Sequence, residues 1–257
     1  MNKILFIGDI HTKEDIVNKV DEILTKDKQI KKAIFVGDYV DEWDAPEEED
    51  LNILNSVFNL KKKYEDRVIL LLGNHELSYM GYPCSGHIYP DDQIKKVLEE
   101  NHSLLQVLYY DKDYIVSHAG ITQNWLEVVK QFYKGNLKEI INQINIDFQD
   151  INSERYKDLL QLLSMASVSS GSNSLCASCL WARPQDHRYS PFSEMIDQIV
   201  GHTPISMGIE ESTEIGGLLR QNTIYYIDTF STYRDRRPYG KQEALLKVGY
   251  TYMSVKL

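Results

Sequence analysis

The sequence is poor in cysteine, in long apolar runs and, relative to its acids, in basic residues. Cys84, Cys176 and Cys179 are the three cysteines in 257 residues. Three thiols cannot staple a chain of this length, so a disulfide framework is excluded. No stretch reaches the roughly 18 uninterrupted apolar residues of a membrane span. The opening run Ile4-Leu5-Phe6-Ile7 meets Gly8-Asp9 at once, too soon for the core of a secretory leader. These absences predict a soluble, cytoplasmic protein with no membrane partner. Lys and Arg number 28 against 38 Asp and Glu, so the formal charge is 28 − 38 = −10. That balance argues against nucleic acid as a partner, because polyanions select basic surfaces. It leaves room for a small anionic substrate at a local positive site. Hydrophobic residues at 42% and charged residues at 26% are ordinary globular values, which excludes a disordered chain. The length is enough to bury a sizeable core.

Short apolar runs alternate with helical spacings through the first half. Ile4 to Ile7, Ala33 to Val36 and Val68 to Leu72 read as buried strands. Between them, Ile16, Val17, Val20, Ile23 and Leu24 recur at helical spacing, as do Leu51, Ile53, Leu54, Val57, Phe58 and Leu60. This βαβαβ order predicts parallel strands with right-handed crossovers. From about 124 to 168 the spacing is helical, and the stretch is read as an insertion or cap within one domain spanning 1–257. From Ile215 onward, Thr223 to Ile227 and Ala244 to Val255 predict antiparallel strands of a second sheet.

Each early strand ends in glycine followed by residues able to bind metal: Gly8-Asp9-Ile10-His11, Gly37-Asp38-Tyr39-Val40-Asp41 and Gly73-Asn74-His75-Glu76. Two further instances follow, Ser117-His118-Ala119-Gly120 and Gly201-His202-Thr203-Pro204. In open α/β sheets, sites form at the carboxyl ends of strands. Oxygen and imidazole ligands suit hard or borderline divalent ions such as Mn²⁺, Fe²⁺ or Zn²⁺. A pair of ions needs a shared carboxylate, and Asp38 is central in the order of ligands.

These five motifs, in this order, resemble the calcineurin-like metallophosphoesterases. The likeness is to the phosphoprotein-phosphatase branch, with its bacterial and phage members and the related diadenosine tetraphosphatases, and it runs from Asp9 to about Asp228. It implies an α/β fold, a four-layer αββα sandwich with all ligands on loops at one edge. It also implies a dinuclear centre, with manganese foremost and iron or zinc as alternatives. Asp9 and His11 would complete one metal site around Asp38, and Asn74, His118 and His202 the other. A hydroxide between the metals would attack phosphorus, and His75 would protonate the leaving oxygen, oriented by Asp41. Asp228, in Ile227-Asp228-Thr229, resembles a late segment of the family and is read as supporting the ligands.

The chain departs from the family at one informative place. Where phosphoprotein phosphatases carry a phosphate-binding arginine after the second aspartate of Gly-Asp-x-Val-Asp, Glu42 stands here. A carboxylate cannot donate to phosphate and would repel it. Trp181-Ala182-Arg183 resembles the Trp-x-Arg of bacterial members and makes Arg183 the candidate clamp, with Arg188 as backup. Arg234 to Arg237 is read as a solvated loop. Cys176-Ala177-Ser178-Cys179 lacks partners for a zinc site and is read as two reduced thiols. His87, His102 and His187 lie outside the motifs and are read as structural.

The leading expectation is a dinuclear metal-dependent phosphomonoesterase acting on a phosphoprotein or a small phosphoester. The alternatives are a dinucleoside polyphosphate or nucleotide hydrolase, and a silent binding module that keeps the fold.

Overall fold

Alternation along the apolar runs decides which way each strand faces. The computed structural model describes residues 2–82, 92–209, 214–216 and 222–257. Its first elements are β1 (Lys3–Ile7), α1 (Glu14–Lys26), β2 (Ile30–Phe35), α2 (Glu47–Tyr64), β3 (Val68–Leu71), α3 (Asn74–Tyr79) and α4 (Asp92–Glu100). Then come β4 (Leu105–Gln106), β5 (Leu108–Tyr110), β6 (Tyr114–Ser117), α5 (Gln123–Phe132), α6 (Leu137–Gln149), α7 (Glu154–Leu163) and α8 (Pro184–Tyr189). The last are β7 (Asp197–Val200), β8 (Glu214–Gly216), β9 (Asn222–Tyr226), β10 (Glu243–Val248) and β11 (Thr251–Lys256).

β1, β2 and β3 pair in parallel, as the βαβαβ order requires. Leu5, Ile7, Ala33, Phe35 and Leu70 belong to one apolar cluster with α1 and α2, while Phe6, Ile34, Ile69 and Leu71 belong to another. That second cluster also holds Tyr114, Val116 and Ile199 from β6 and β7. The alternation therefore stacks two sheets face to face with a dry layer between them. The strand orders are β11-β10-β1-β2-β3-β4 and β5-β6-β7-β9-β8. With helices on the outer faces, this is the expected αββα architecture.

One expectation is corrected. The C-terminal strands do not all join a second sheet. β10 and β11 form a hairpin that extends the first sheet, antiparallel to β1. β9 pairs parallel with β7 in the second sheet. Leu245 supplies the reason, because on β10 it packs into the same inter-sheet layer as Phe6.

The helices end where local chemistry allows. α2 begins with Glu47, Glu48, Glu49 and Asp50 and finishes with Lys61, Lys62 and Lys63, matching its macrodipole at both ends. Thr122 and Ser153 cap α5 and α7, and Asn136 with Glu139 forms a capping box on α6. Trp125, Ile140, Ile144 and Leu163 of these helices share a cluster with Leu108 and Ile115, and α6 lies against β5. The helices of the 124–168 region thus cover the outer face of the second sheet. Among the described residues, none of them lines the cavity described below. No described helix is long and apolar enough to cross a membrane.

Candidate metal centre and active site

The loops after β1, β2, β3, β6 and β7 converge at one edge of the sandwich. Glycine makes the approach possible. A Cβ on Gly73 would overlap the Asp38 carboxylate, and one on Gly201 would overlap Oδ1 of Asp9. Glu76 then ties two loops together. Its carboxylate accepts the backbone N–H groups of Gly73 (2.9 Å), Asp38 (3.0 Å) and Tyr39 (2.8 Å). His11, Asp38, Asp41 and His202 all sit at positive φ (34°, 52°, 65° and 64°), a conformation that non-glycine residues hold only when surroundings impose it.

The structure brings Asp9, His11, Asp38, Asn74, His118 and His202 together. Ligand atoms of Asp9, His11 and Asp38 lie within 4.8 Å of one another, and so do those of Asp38, His118 and His202. Asp38 is common to both groups. The tautomers follow from the backbone. His118 Nδ1–H donates to the Val36 carbonyl (3.0 Å) and His11 Nδ1–H to the Val40 carbonyl (2.8 Å). A carbonyl can only accept, so in each neutral ring Nε2 presents a lone pair.

The His118 lone pair points at other potential ligand atoms. His118 Nε2 lies 2.8 Å from Asn74 Oδ1, 3.4 Å from Asp38 Oδ2 and 3.2 Å from His202 Nδ1. His202 Nδ1 is itself 2.7 Å from Asn74 Oδ1. Asp9 Oδ1, Asp228 Oδ2 and His202 Nε2 are buried without a hydrogen-bond partner among the described residues. Buried carboxylate oxygens without a partner are costly unless a cation joins them. The donor set fits divalent ions, and the electrostatics agree. Burial pushes the pKa of His11 down to about 4 and that of His202 well down, so both rings are neutral and ready to ligate. Burial, with the Asp228 and Asp38 charges, pushes Asp9 well up. Burial also raises Asp228 to about 6, and its Oδ1 accepts Ser231 Oγ–H at 2.7 Å.

Beside this cluster stand His75 and Asp41. His75 Nδ1–H donates to Asp41 Oδ2 at 2.9 Å, and His75 Nε2 is 3.9 Å from Asp38 Oδ2. Burial alone would lower the pKa of His75. The Asp38 charge and the Asp41 bond outweigh it and raise it to about 9. Arg183, half-buried at the start of α8, lines the same cavity, with Nη1 directed at the His202 carbonyl (3.3 Å) and Thr203 Oγ1 (3.4 Å). Asp186 holds that turn by accepting Arg183 N–H (2.8 Å) and Ser167 Oγ–H (2.6 Å). Arg188 is exposed and outside the cavity lining.

Glu42 does not face the site as a bare charge. It is buried, ion-paired with Lys13, and accepts Thr232 Oγ1–H at 2.6 Å. Lys13 had no role in the sequence reading, nor did Tyr79 and Asp50, which both bond to Asp41. Tyr79 Oη donates to Asp41 Oδ1 (2.7 Å), and Asp50 Oδ1 accepts Asp41 N–H (2.8 Å). Tyr79 was findable, because it follows His75 by four residues in one short helix and so shares its face. Asp50 carried no signal, since it reads as one more acid in an acidic helix start.

The remaining expectations fall outside the site. His102 Nε2–H donates to Phe148 O (2.6 Å) and His187 Nε2–H to Ala119 O (2.9 Å). Cys176 and Cys179 are not disulfide-bonded, and burial raises both thiols, which leaves them protonated. Cys84 and His87 lie outside the described residues.

Residues 2–209 match the family model of the calcineurin-like phosphoesterases. A Caenorhabditis elegans protein named for serine/threonine-protein phosphatases is 39% identical over 70 residues, 27% of this chain and 18% of that protein. The match thus spans less than a fifth of that relative's length. Among solved structures, a cold-active protein-tyrosine phosphatase of a Shewanella species matches with a TM-score of 0.61 at 16% identity, covering 100% of this chain and 81% of that one. A protein serine/threonine phosphatase from Saccharomyces cerevisiae matches with a TM-score of 0.50 at 16% identity, covering 88% and 67%. At these identities the structural likeness establishes the fold.

Proposed function

The chain belongs to the calcineurin-like phosphoesterase family and is a phosphoric ester hydrolase; from that premise we propose that it is a dinuclear metal-dependent phosphomonoesterase of the protein-phosphatase type. The observation that carries this reading is the position of Asp38 in two ligand groups at once, with the His75–Asp41 pair beside it. Asp9, His11 and Asp38 would hold one divalent ion, and Asp38, Asn74, His118 and His202 the other, with manganese foremost by resemblance to the family and iron or zinc as alternatives. Bound ions would supply an acidified water and neutralise charge on the phosphoryl oxygens.

The chain's own residues do the rest. With Nδ1–H committed to Asp41, a bond that raises its pKa, His75 would offer Nε2–H to the leaving oxygen. Arg183 offers a guanidinium to the phosphoryl group and so takes the part that Glu42 cannot. Glu42, paired with Lys13, leaves little net charge to repel the substrate. We read 1–257 as one domain with the 124–168 helices as its outer insertion, working in the cytoplasm. The decisive experiment is turnover of p-nitrophenyl phosphate with added Mn²⁺, against a chelator and against His75→Ala. Metal-dependent turnover lost in His75→Ala supports the reading. No metal-dependent turnover in the wild type removes it.

A further inference from the structure

The floor of the site needs to hold only a phosphoryl group, yet the cavity that contains it measures about 960 Å³. Its mouth lies between the loop after β2 and the loop after β9. Trp43 and Tyr233 line it from either loop and are 45% and 46% exposed, although large aromatics are ordinarily buried. Their backbones are not loose. Arg236 Nε donates to the Trp43 carbonyl (3.2 Å) and Arg236 Nη2 to Glu49 (2.6 Å), and Thr232 reaches Glu42. The Tyr233 ring is braced against Tyr239 at 4.9 Å and under Arg237 at 5.6 Å. Two apolar rings are thus held open to solvent on a rigid mouth.

The charges around those rings narrow the choice of substrate. Beyond the floor, with Glu42 paired to Lys13, the lining carries Asp44 and Glu47 against one arginine, Arg234, which lies 3.9 Å from Asp44. Arg236 and Arg237 are engaged by Glu49 and Asp235. A second or third phosphate on the substrate would meet carboxylates there. A monoester with an uncharged leaving group would not, and basic residues flanking it in a peptide would complement the acids.

Resting on the phosphomonoesterase reading above, we propose that this mouth selects monoesters of an aromatic alcohol, phosphotyrosine in a peptide with basic flanks, with Trp43 and Tyr233 packing on the ring. Both side chains line the same cavity as the buried floor, where Asp38 and His202 are 3% and 7% exposed, so a ring held at the mouth lies on the way to that floor. A serine ester leaves both aromatic faces wet. Hydrolysis consumes one water. The bond from phosphorus to the phenolic oxygen breaks, a bond from phosphorus to the water oxygen forms, the phenol departs with the proton from His75, and a proton released by the attacking water restores His75.

The test compares kcat/KM of the Mn²⁺-loaded protein on phosphotyrosine and phosphoserine peptides with the same Lys-containing flanks. Trp43→Ala is expected to lower the phosphotyrosine value by about tenfold more than the phosphoserine value, and Tyr233→Leu to act in the same direction. Taking the ratio cancels the greater intrinsic reactivity of aryl esters. Tyr250→Ala, at an 84% exposed position of the β10–β11 turn, serves as the control for surface change. Equal losses on both peptides would overturn the proposal and leave the phosphomonoesterase reading standing, whereas a wild type that prefers diadenosine tetraphosphate would overturn both. If no ester of any class is turned over, that reading fails, and binding still decides this one. Titration of the phosphotyrosine peptide into His75→Ala, with and without Trp43→Ala, should give a dissociation constant about tenfold weaker in the double variant. Equal affinities there would also overturn it.

Discussion

Tyr79 and His75 grip opposite oxygens of one carboxylate: Tyr79 Oη–H bonds Asp41 Oδ1 at 2.7 Å and His75 Nδ1–H bonds Oδ2 at 2.9 Å. A carboxylate held by one bond can rotate about its χ2 torsion. Held by two, and with its own backbone N–H on Asp50, it presents Oδ2 to the imidazole in one orientation. The proton that His75 would deliver is therefore aimed by Tyr79 and Asp50 acting through Asp41.

Tyr79→Phe should lower kcat by about three- to tenfold, and Asp41→Asn by about a hundredfold, within the range of general acid catalysis. Neither should change bound metal, measured by elemental analysis, because neither side chain belongs to the two ligand groups. A Tyr79→Phe protein with unaltered kcat would show that Asp41 is positioned without it.

Glu42 stands where the family has arginine, yet restoring arginine should harm the protein. Lys13 Nζ packs against Glu42 and within reach of the Ile10 and His11 carbonyls (3.4 and 3.3 Å). Glu42→Arg would set two cations together with the Lys13 side chain only 17% exposed. Breaking such a buried pair costs about 3–5 kcal/mol. Glu42→Gln keeps the Thr232 bond and should cost less. Urea unfolding of both variants measures this. A Glu42→Arg protein as stable as wild type, with higher activity, would mean that the loop can turn the residue toward the phosphate.

Asp38→Asn tests the shared ligand. Asparagine tolerates the positive φ of this position and keeps an oxygen for the His75 N–H (3.0 Å), so the loop should persist. The charge joining the two ligand groups disappears. Added Mn²⁺ should raise the wild-type melting temperature, as ligand binding at about a hundredfold its Kd stabilises by roughly 2.7 kcal/mol. The variant should show a smaller rise and fewer ions per chain. Full stoichiometry in Asp38→Asn would point to another bridge.

How much of this was readable before the structure depends on which physics set each part. Strand ends were legible because Leu5-Phe6-Ile7 and Val68 to Leu72 are buried on both faces, so their apolar runs stop where the ligands begin. The ligands came with them, since Asp9, Asp38, Asn74, His118 and His202 each follow a glycine or a strand end. The place of the C-terminal hairpin was not legible. Its strands alternate as any half-buried pair does, and only packing against β1 decides which sheet they join. Lys13 and Asp50 were silent for a related reason. A contact such as Lys13 to Glu42 joins loops 29 residues apart, and neither residue type is unusual where it stands. Paired acids and solvated acids look the same in a sequence.

Asp50 offers a test of that last point through pH. Burial raises its pKa from 3.8 to about 7, with the Asp41 and Glu49 charges adding to the rise and the Asp41 N–H bond opposing it. The folded protein therefore holds a proton that the unfolded chain has released between about pH 4 and pH 7. The stability this contributes is complete below pH 4 and is lost as pH rises through 7, where the carboxylate must ionise while buried. Asp50→Asn keeps an oxygen for the Asp41 N–H and cannot titrate. Every other group is common to both proteins and cancels in the difference. The melting temperature of Asp50→Asn minus that of wild type should grow from pH 5 to pH 7 and level off by pH 8. A constant difference would mean that Asp50 is ionised throughout, and that the turn beneath Asp41 is held by a charge rather than by a shared proton.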